Sequence, residues 1–553
     1  MTPPIKLQRF RPRLLSSLRG YNKALLGQDV LAGITVGVVA LPLAMAFAIA
    51  SGLPPQAGLF TAIVAGFIIA ALGGANVQIG GPAGAFVVVV LGIVQQHGVV
   101  NLLVSTFVAG GLLIVMGWLG LGSLVRLMPV SIVIGFTNGI AVLIGLSQVS
   151  DFLGLPAVHS DHFFERVGAL LQALPNFNTE ALALSSACLV VLLGWSRLVK
   201  SSSFSKVPVS VVVVVGGTAA ATALGLNVDT IGGRFGEIPA SLPALAIPEV
   251  HWAALPTLIG PILTIAFLCA VESLLCARVA DGMTHDKHNP NQELMAQGVA
   301  NMASALVGGM PATGTIARTV TNIRSGAKTP VSGMVHALTL LLIMVLAAPL
   351  ASHVPLPVLS AILMFVAINM GEWSEFKALR RYNPVYRIIV LATFILTVVV
   401  DLTVAVEVGL ALSALFFIYR VSSLTQFIPI ALPETPEHVG LKAYSIYGSL
   451  FFGVVGKIES LCADLPESTH TVLLDLHQTI SIDTTALDAL RDLKAELDQQ
   501  GVRLRLCGAN PQALSLFKRS GFIDALGPDH PADSFQMAMK SILQGGPDTA
   551  PQR

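Results

Sequence analysis

Long apolar runs broken by short polar turns fill the chain from Asp29 to Thr425, and beyond that point the pattern changes. About 20 apolar residues in a helix span the hydrocarbon layer of a bilayer, and Gly/Pro punctuation cuts this region into segments of that order. Fourteen segments result, at 29–50, 54–72, 82–97, 101–119, 129–149, 179–198, 207–226, 256–277, 293–309, 314–325, 330–352, 355–370, 385–401 and 404–425. After the polar stretch Pro429 to His438, short runs take over. Thr471 to Leu476 and Val502 to Cys507 have the β-branched, apolar character of strands. Thr484 to Gln499 repeats Leu487, Leu490, Leu493 and Leu497 at helical spacing, and Gln512 to Arg519 reads as a second helix. The pattern therefore predicts an all-α polytopic membrane domain followed by a small α/β domain. The boundaries are 1–28 (basic N-terminus), 29–425 (membrane domain), 426–438 (linker), 439–545 (α/β domain) and 546–553 (tail).

Composition agrees: 54% of residues are hydrophobic and 11% charged, where soluble domains carry about 25% charged residues. Charge placement orients the spans. Lys6, Arg9, Arg11, Arg13, Arg19 and Lys23 precede the first segment with no acidic neighbour. The loops that a cytoplasmic start puts inside hold most remaining Lys and Arg, whereas the long loops 150–178 and 227–255, put outside, hold only Arg166 and Arg234. The positive-inside rule then places both termini in the cytoplasm. The five cysteines, Cys188, Cys269, Cys276, Cys462 and Cys507, show neither disulfide nor zinc spacing. No nucleophile constellation, metal cluster or phosphate-cradling loop points to an enzyme, a cofactor or nucleic acid. His285 and His288, beside Asp286, read as residues of a solvated loop.

One side chain breaks the apolar pattern. Glu272 is the only acidic or basic residue in the run Leu255 to Ala277; a carboxylate at such depth costs roughly 2.5–3.5 kcal/mol, so it is expected to face a cavity. Two regions are too rich in Gly and Pro to cross as simple helices: Gln78 to Phe86 (QIGGPAGAF) and Gly308 to Arg318 (GGMPATGTIAR). Pro42 precedes Pro82 by 40 residues and Glu272 precedes Pro311 by 39, so the two regions occupy corresponding places in two halves, near 29–226 and 256–425. Paired discontinuous segments mark the binding site of inverted-repeat transporters. Facing half-helix starts offer free N–H groups and positive dipole ends, with Arg318 one turn into the second, so the expected ligand is an anion.

These residues resemble the SulP anion transporters, the bacterial relatives of solute carrier family 26. The resemblance rests on Asp29 to Leu53, Gly80 to Phe86, Val271 to Met283 (VESLLCARVADGM), Ala312 to Gly326 (ATGTIARTVTNIRSG) and a C-terminal STAS domain. It implies a uracil-transporter-like fold of fourteen spans in a 7+7 inverted repeat, with a mobile core domain (spans 1–4 and 8–11), a gate domain (5–7 and 12–14), elevator-like alternating access, an inner-membrane location and a homodimer. It puts the substrate between Gly81, Pro82, Ala83, Gly84, Ala85 and Phe86 on one side and Gly314, Thr315, Ile316, Ala317 and Arg318 on the other. Leu43 and Phe47 stand where many relatives have glutamine and tyrosine.

Sodium-coupled relatives use an aspartate and a threonine four residues apart on the eighth span. Here Glu272 and Cys276 hold those places, and Ile316 stands where another threonine aligns. Sodium favours hard oxygen ligands, which a thiol and an aliphatic chain do not supply. Proton coupling through Glu272 is the expectation. ESLLCA, DGMT and ARTVTNIRSGA are similar to the aerobic C4-dicarboxylate carrier subgroup, which favours a C4-dicarboxylate, with bicarbonate, sulfate or chloride transport, or an anion channel, as alternatives. In STAS domains a Ser or Thr at the start of a helix is phosphorylated. Thr484 and Thr485 occupy that place, though helix capping by Asp483 or Thr484 accounts for the same residues. A cytoplasmic protein or a nucleotide is the expected partner of this domain.

Overall fold

A computed structural model describes residues 9–125, 129–156, 163–198, 209–236, 245, 256–400, 402–433, 435, 438–463, 465–527 and 532–544. The chain forms two compact units, Met1–Leu410 and Ala411–Arg553.

The apolar segments are helices: α1 (Lys23–Ala50), α2 (Pro55–Leu72), α3 (Phe86–Trp118), α4 (Val130–Leu153), α5 (Thr179–Leu198), α6 (Val209–Ala223), α7 (Ile259–Thr284), α8 (Pro290–Leu306), α9 (Ile316–Arg324), α10 (Val331–Ala351), α11 (Leu356–Met370), α12 (Pro384–Val399) and α13 (Leu402–Leu424). Gly98, at φ 81°, breaks α3 between the expected segments 82–97 and 101–119. Two ends move. α1 starts six residues before Asp29, because Asn22 caps it by accepting from Leu25 N, and α7 continues to Thr284, so Arg278 and Asp281 are helical. The loop 150–178 contains an unforeseen amphipathic helix, Phe163–Ala173, which is bent by 113° from the helix that follows it.

The helices pack in two groups. In the first, α1 lies on α10, α2 on α10, α7 on α3 and α8 on α3. In the second, α4 lies on α12 and α11, and α11 lies on α5. Exchanging the halves maps α1 onto α7, α2 onto α8 and the C-terminal part of α3 onto α10, so each contact in the first group has its counterpart. The same exchange turns α4 against α12 into α11 against α5. This correspondence is that of an inverted repeat. Small residues allow the closest approaches: a Cβ on Gly298 of α8 would lie 2.5 Å from the carbonyl oxygen of Gly110 on α3.

The C-terminal unit carries a sheet of β3 (Gln426–Pro429), β4 (Leu441–Leu450), β5 (Thr471–Asp475), β6 (Thr479–Ile482) and β7 (Arg503–Cys507). Its order is β3-β4-β5-β7 with β6 also on β4; only the β3–β4 pair is antiparallel. Helices α14 (Val455–Ala463), α15 (Thr484–Gln499), α16 (Pro511–Arg519) and α17 (Phe535–Gln544) complete it. Leu487, Leu490, Leu493 and Leu497 are buried as their spacing predicts. The expected linker 426–438 is not all linker, since residues 426–429 form β3. Pro429, whose missing N–H would interrupt an inner ladder, is tolerated at the sheet edge.

Candidate functional site

The two broken segments meet. Before its helical start at Phe86, the first segment forms the short strand β1 (Gly80–Gly81), and the second forms β2 (Thr313–Gly314) just before α9. They pair antiparallel, Gly80 opposite Gly314 and Gly81 opposite Thr313. Thr315 N donates to Ile79 O (2.8 Å), and Ile79 N donates to Thr319 Oγ1 (2.9 Å). Irregular backbone at membrane depth needs such partners. Side chains of α7 and α8 supply more. Asn301 takes both polar groups of Ala312, donating to its carbonyl and accepting from its N–H, each at 2.9 Å, and Cys276 Sγ donates to Thr319 Oγ1 (3.2 Å).

Arg318 lies in the first turn of α9 and is 3% exposed. Its Nη2 donates to Pro82 O (3.2 Å), tying the second half-helix to the first, while Nη1 has no hydrogen-bond partner among the described residues. Gly81 makes room for it: at φ 149°, it would bring a Cβ to 2.8 Å from Nη1. The first helical hydrogen bond of α9 is Thr319 N to Thr315 O, so the N–H groups of Ile316, Ala317 and Arg318 precede any intrahelical acceptor.

A cavity of about 1530 Å³ opens over this crossing. Leu43, Phe47, Ala83, Gly84, Ala85, Gly314, Thr315, Ile316, Ala317, Arg318 and Glu272 all line it. Gly81, Pro82 and Phe86 do not: Gly81 packs under the guanidinium, Pro82 accepts from it, and the Phe86 ring is wholly buried. Glu272 is half-buried on the cavity wall, with no hydrogen-bond or ion-pair partner among the described residues.

Several residues that position the site were not singled out from the sequence. Glu293, Gln297 and Asn301 recur every four residues along one face of α8, and all are buried; that polar stripe in an apolar segment was the available signal. The loop histidines also differ from expectation. His285 is exposed, but the turn into α8 folds His288 inward, where its Nδ1 lies 2.6 Å from Asp281 Oδ2. Arg13, without an acidic neighbour in sequence, pairs with Asp286 (2.7 Å). Residues 1–8, Arg126, Lys200, Lys206 and the tail 546–553 lie outside the described residues. In the C-terminal unit, Asp483 caps α15 by accepting from Ala486 N (2.8 Å), and Thr484 and Thr485 are exposed beside it.

The Sulfate permease family pattern matches residues 26–393, and the STAS domain pattern matches residues 432–536. The chain is similar to the putative sulfate transporter YvdB of Bacillus subtilis, at 40% identity over 94% of this chain and 98% of that protein. It is also similar to the bicarbonate transporter BicA of a Picosynechococcus species, at 30% identity over 94% of each. Among solved structures, murine Slc26a9 in its inward-facing state superposes with a TM-score of 0.86 at 18% identity, covering 96% of this chain and 94% of that one, which shows the shared fold. The transmembrane domain of a cyanobacterial BicA superposes at 0.63 with 31% identity, over 70% of this chain and 98% of that one. The chain belongs to the sulfate permease family: it is a multi-pass membrane transporter for anions, with a C-terminal STAS domain.

Proposed function

We propose that the chain is a secondary active carrier that takes up a C4-dicarboxylate together with protons, by elevator-like alternating access. The observation that carries the anion site is Arg318, buried at the crossing with Nη1 unpartnered and beside the free N–H groups that open α9. Such an arrangement attracts one carboxylate through a fixed charge and oriented dipoles. The neighbouring walls at Leu43, Phe47 and Ile316 are apolar and suit a carbon chain better than a small, fully hydrated oxyanion.

Glu272 supports proton coupling: a carboxyl group on the cavity wall with no partner among the described residues can gain and lose a proton as the cavity changes sides. The sodium alternative has little support. Cys276 is engaged with Thr319, and Ile316 offers no side-chain oxygen. A second reading, transport of bicarbonate or sulfate, is favoured by the names of the relatives. The proposal extends to a homodimer in the inner membrane with both termini cytoplasmic, and to Thr484 and Thr485 as phosphorylation sites through which a cytoplasmic protein or nucleotide acts on the STAS domain.

The test is uptake of labelled succinate into proteoliposomes under an inward proton gradient or an inward sodium gradient. Accumulation driven by protons alone supports the reading. Bicarbonate or sulfate flux without succinate flux moves the assignment to the second reading, and downhill flux with no accumulation under any gradient indicates a channel.

A further inference from the structure

Behind the strand crossing, away from the cavity, Glu293 of α8 is 0% exposed and has no cationic partner among the described residues. Its Oε2 accepts from Gly74 N (2.8 Å), and its Oε1 accepts from Ser273 Oγ (3.2 Å) and Gln297 Nε2 (3.0 Å). Ser273 Oγ in turn accepts from Gln78 Nε2 (3.0 Å). In this closed chain both amide nitrogens are used, yet Gln78 Oε1 and Gln297 Oε1 are buried and receive no hydrogen bond from the described residues. The network is therefore one negative charge in excess and at least one donor short. Turning either amide end for end only exchanges one deficit for another, because the nitrogen would then leave an acceptor it now serves.

We propose that Glu293 is a second proton-binding site, separate from the cavity, whose proton supplies the missing donor to the amide oxygens of Gln78 or Gln297. A single proton neutralises the carboxylate and adds one donor to a network in which two buried amide oxygens receive none from the described residues. The cations near this end of α8 are exposed or paired: Arg11, whose backbone N–H donates to Gln292 Oε1, is exposed, and Arg13, whose backbone N–H donates to Gly73 O, is paired with Asp286. His288, on the turn before α8, faces the carboxylate but is paired with Asp281. Cys276 faces it from α7 and donates to Thr319; the other ionisable groups of α7 in this region are Glu272, on the cavity wall, Cys269, which donates to Ala312 O, and Arg278. α2 and the turn 73–79 contain no ionisable residue, and α3 contains only His97, which is half-buried. Ser273 lies next to Glu272, and Gln78 leads into β1, so the proton sits within the scaffold that carries the anion site.

The experiment is infrared spectroscopy of the reconstituted full chain, read as wild-type-minus-variant difference spectra for Glu293→Gln and Glu272→Gln at about pH 6 and again at about pH 8. It needs no substrate, so its outcome is independent of which anion is carried and of coupling through Glu272. A protonated-carboxyl C=O band that persists at the higher pH, survives in Glu272→Gln and disappears in Glu293→Gln is the expected result. A band lost only in Glu272→Gln, or an ionised-carboxylate signature for Glu293 throughout, overturns the proposal. With Glu293 intact, Gln78→Met and Gln297→Met remove the oxygens in question; the band shifts in at least one of them, and a band unmoved in both overturns the assignment. Sodium-dependent thermal stabilisation of wild type that is absent in Glu293→Gln would place a cation there instead of a proton.

Discussion

Gly81 and Arg318 are fitted to one another across the β1–β2 pair: the guanidinium occupies the space that a side chain on residue 81 would fill, 2.8 Å from the position of its Cβ. The glycine is needed twice, once for that space and once for its φ of 149°. Gly81→Ala therefore displaces the cation from beneath the half-helix and strains the strand, by an amount on the order of 1–3 kcal/mol. The expected outcome is a loss of anion uptake of tenfold or more in protein that still inserts, read as a raised KM in proteoliposomes.

Arg318→Ala removes the cation that, among the described residues, ties the two half-helices at the crossing. Losing a buried charge that pairs with an anion costs about 2 kcal/mol or more, which lowers uptake about 30-fold. Arg318→Lys restores charge without the planar fork that holds Pro82 O and recovers uptake only partly. Initial rates of labelled anion uptake for the three proteins check the order wild type, Lys, Ala.

For Glu272→Gln the outcome is a separation of two activities. The amide keeps the size of the side chain but cannot titrate, so proton-driven accumulation disappears while exchange of internal for external anion continues. Counterflow that falls together with accumulation would show that Glu272 serves the site itself and not the coupling.

Gly298→Val tests the packing on which the crossing rests. Its Cβ would press on Gly110 O and on Ile114, whose Cγ1 would lie 2.6 Å away, and overpacking of this kind costs typically 1–3 kcal/mol. Thermal unfolding in detergent moves to lower temperature, with Gly298→Ala between the variant and wild type.

In the C-terminal unit, Asp483 Oδ1 accepts from Ala486 N and Oδ2 from Phe452 N (3.2 Å). Asp483→Ala costs about 1 kcal/mol through the lost cap, which denaturant unfolding of the full chain by a probe in this unit will show. A phosphate on Thr484 or Thr485 sits at the positive end of α15 and leaves the helix intact, so Thr484→Glu leaves that transition where it is.

The order of apolar segments was legible because hydrocarbon imposes length on every span, and the two interrupted segments stood out because Gly and Pro cluster nowhere else in such matched positions. The pairing of Gly80 with Gly314 was not legible: antiparallel register joins residues more than 230 positions apart, and nothing local records it. Of the residues expected at the site, Leu43, Phe47, Glu272, half of the first half-helix start and all of the second share one cavity. Gly81, Pro82 and Phe86 belong to its foundation because the helix begins at Phe86, after the chain has already turned inward. Glu293 escaped notice for a different reason: a carboxyl group at the head of α8, after a polar turn, reads as an interfacial residue until the fold closes over it.

The strand pair has a mechanical consequence. Hydrogen bonds between Ile79, Thr315 and Thr319 fasten the two half-helices together, so a motion that moves one of them is expected to carry the other with it. Under the alternating access proposed above, the ligand would keep Arg318 and both helix ends in either orientation of the carrier, and only the opposing wall, from α4 and α11, would be exchanged. Damage to the shared half lowers affinity from both sides of the bilayer alike, while a change at Ile140 or Phe365 of the opposing wall shifts the preference between the two faces.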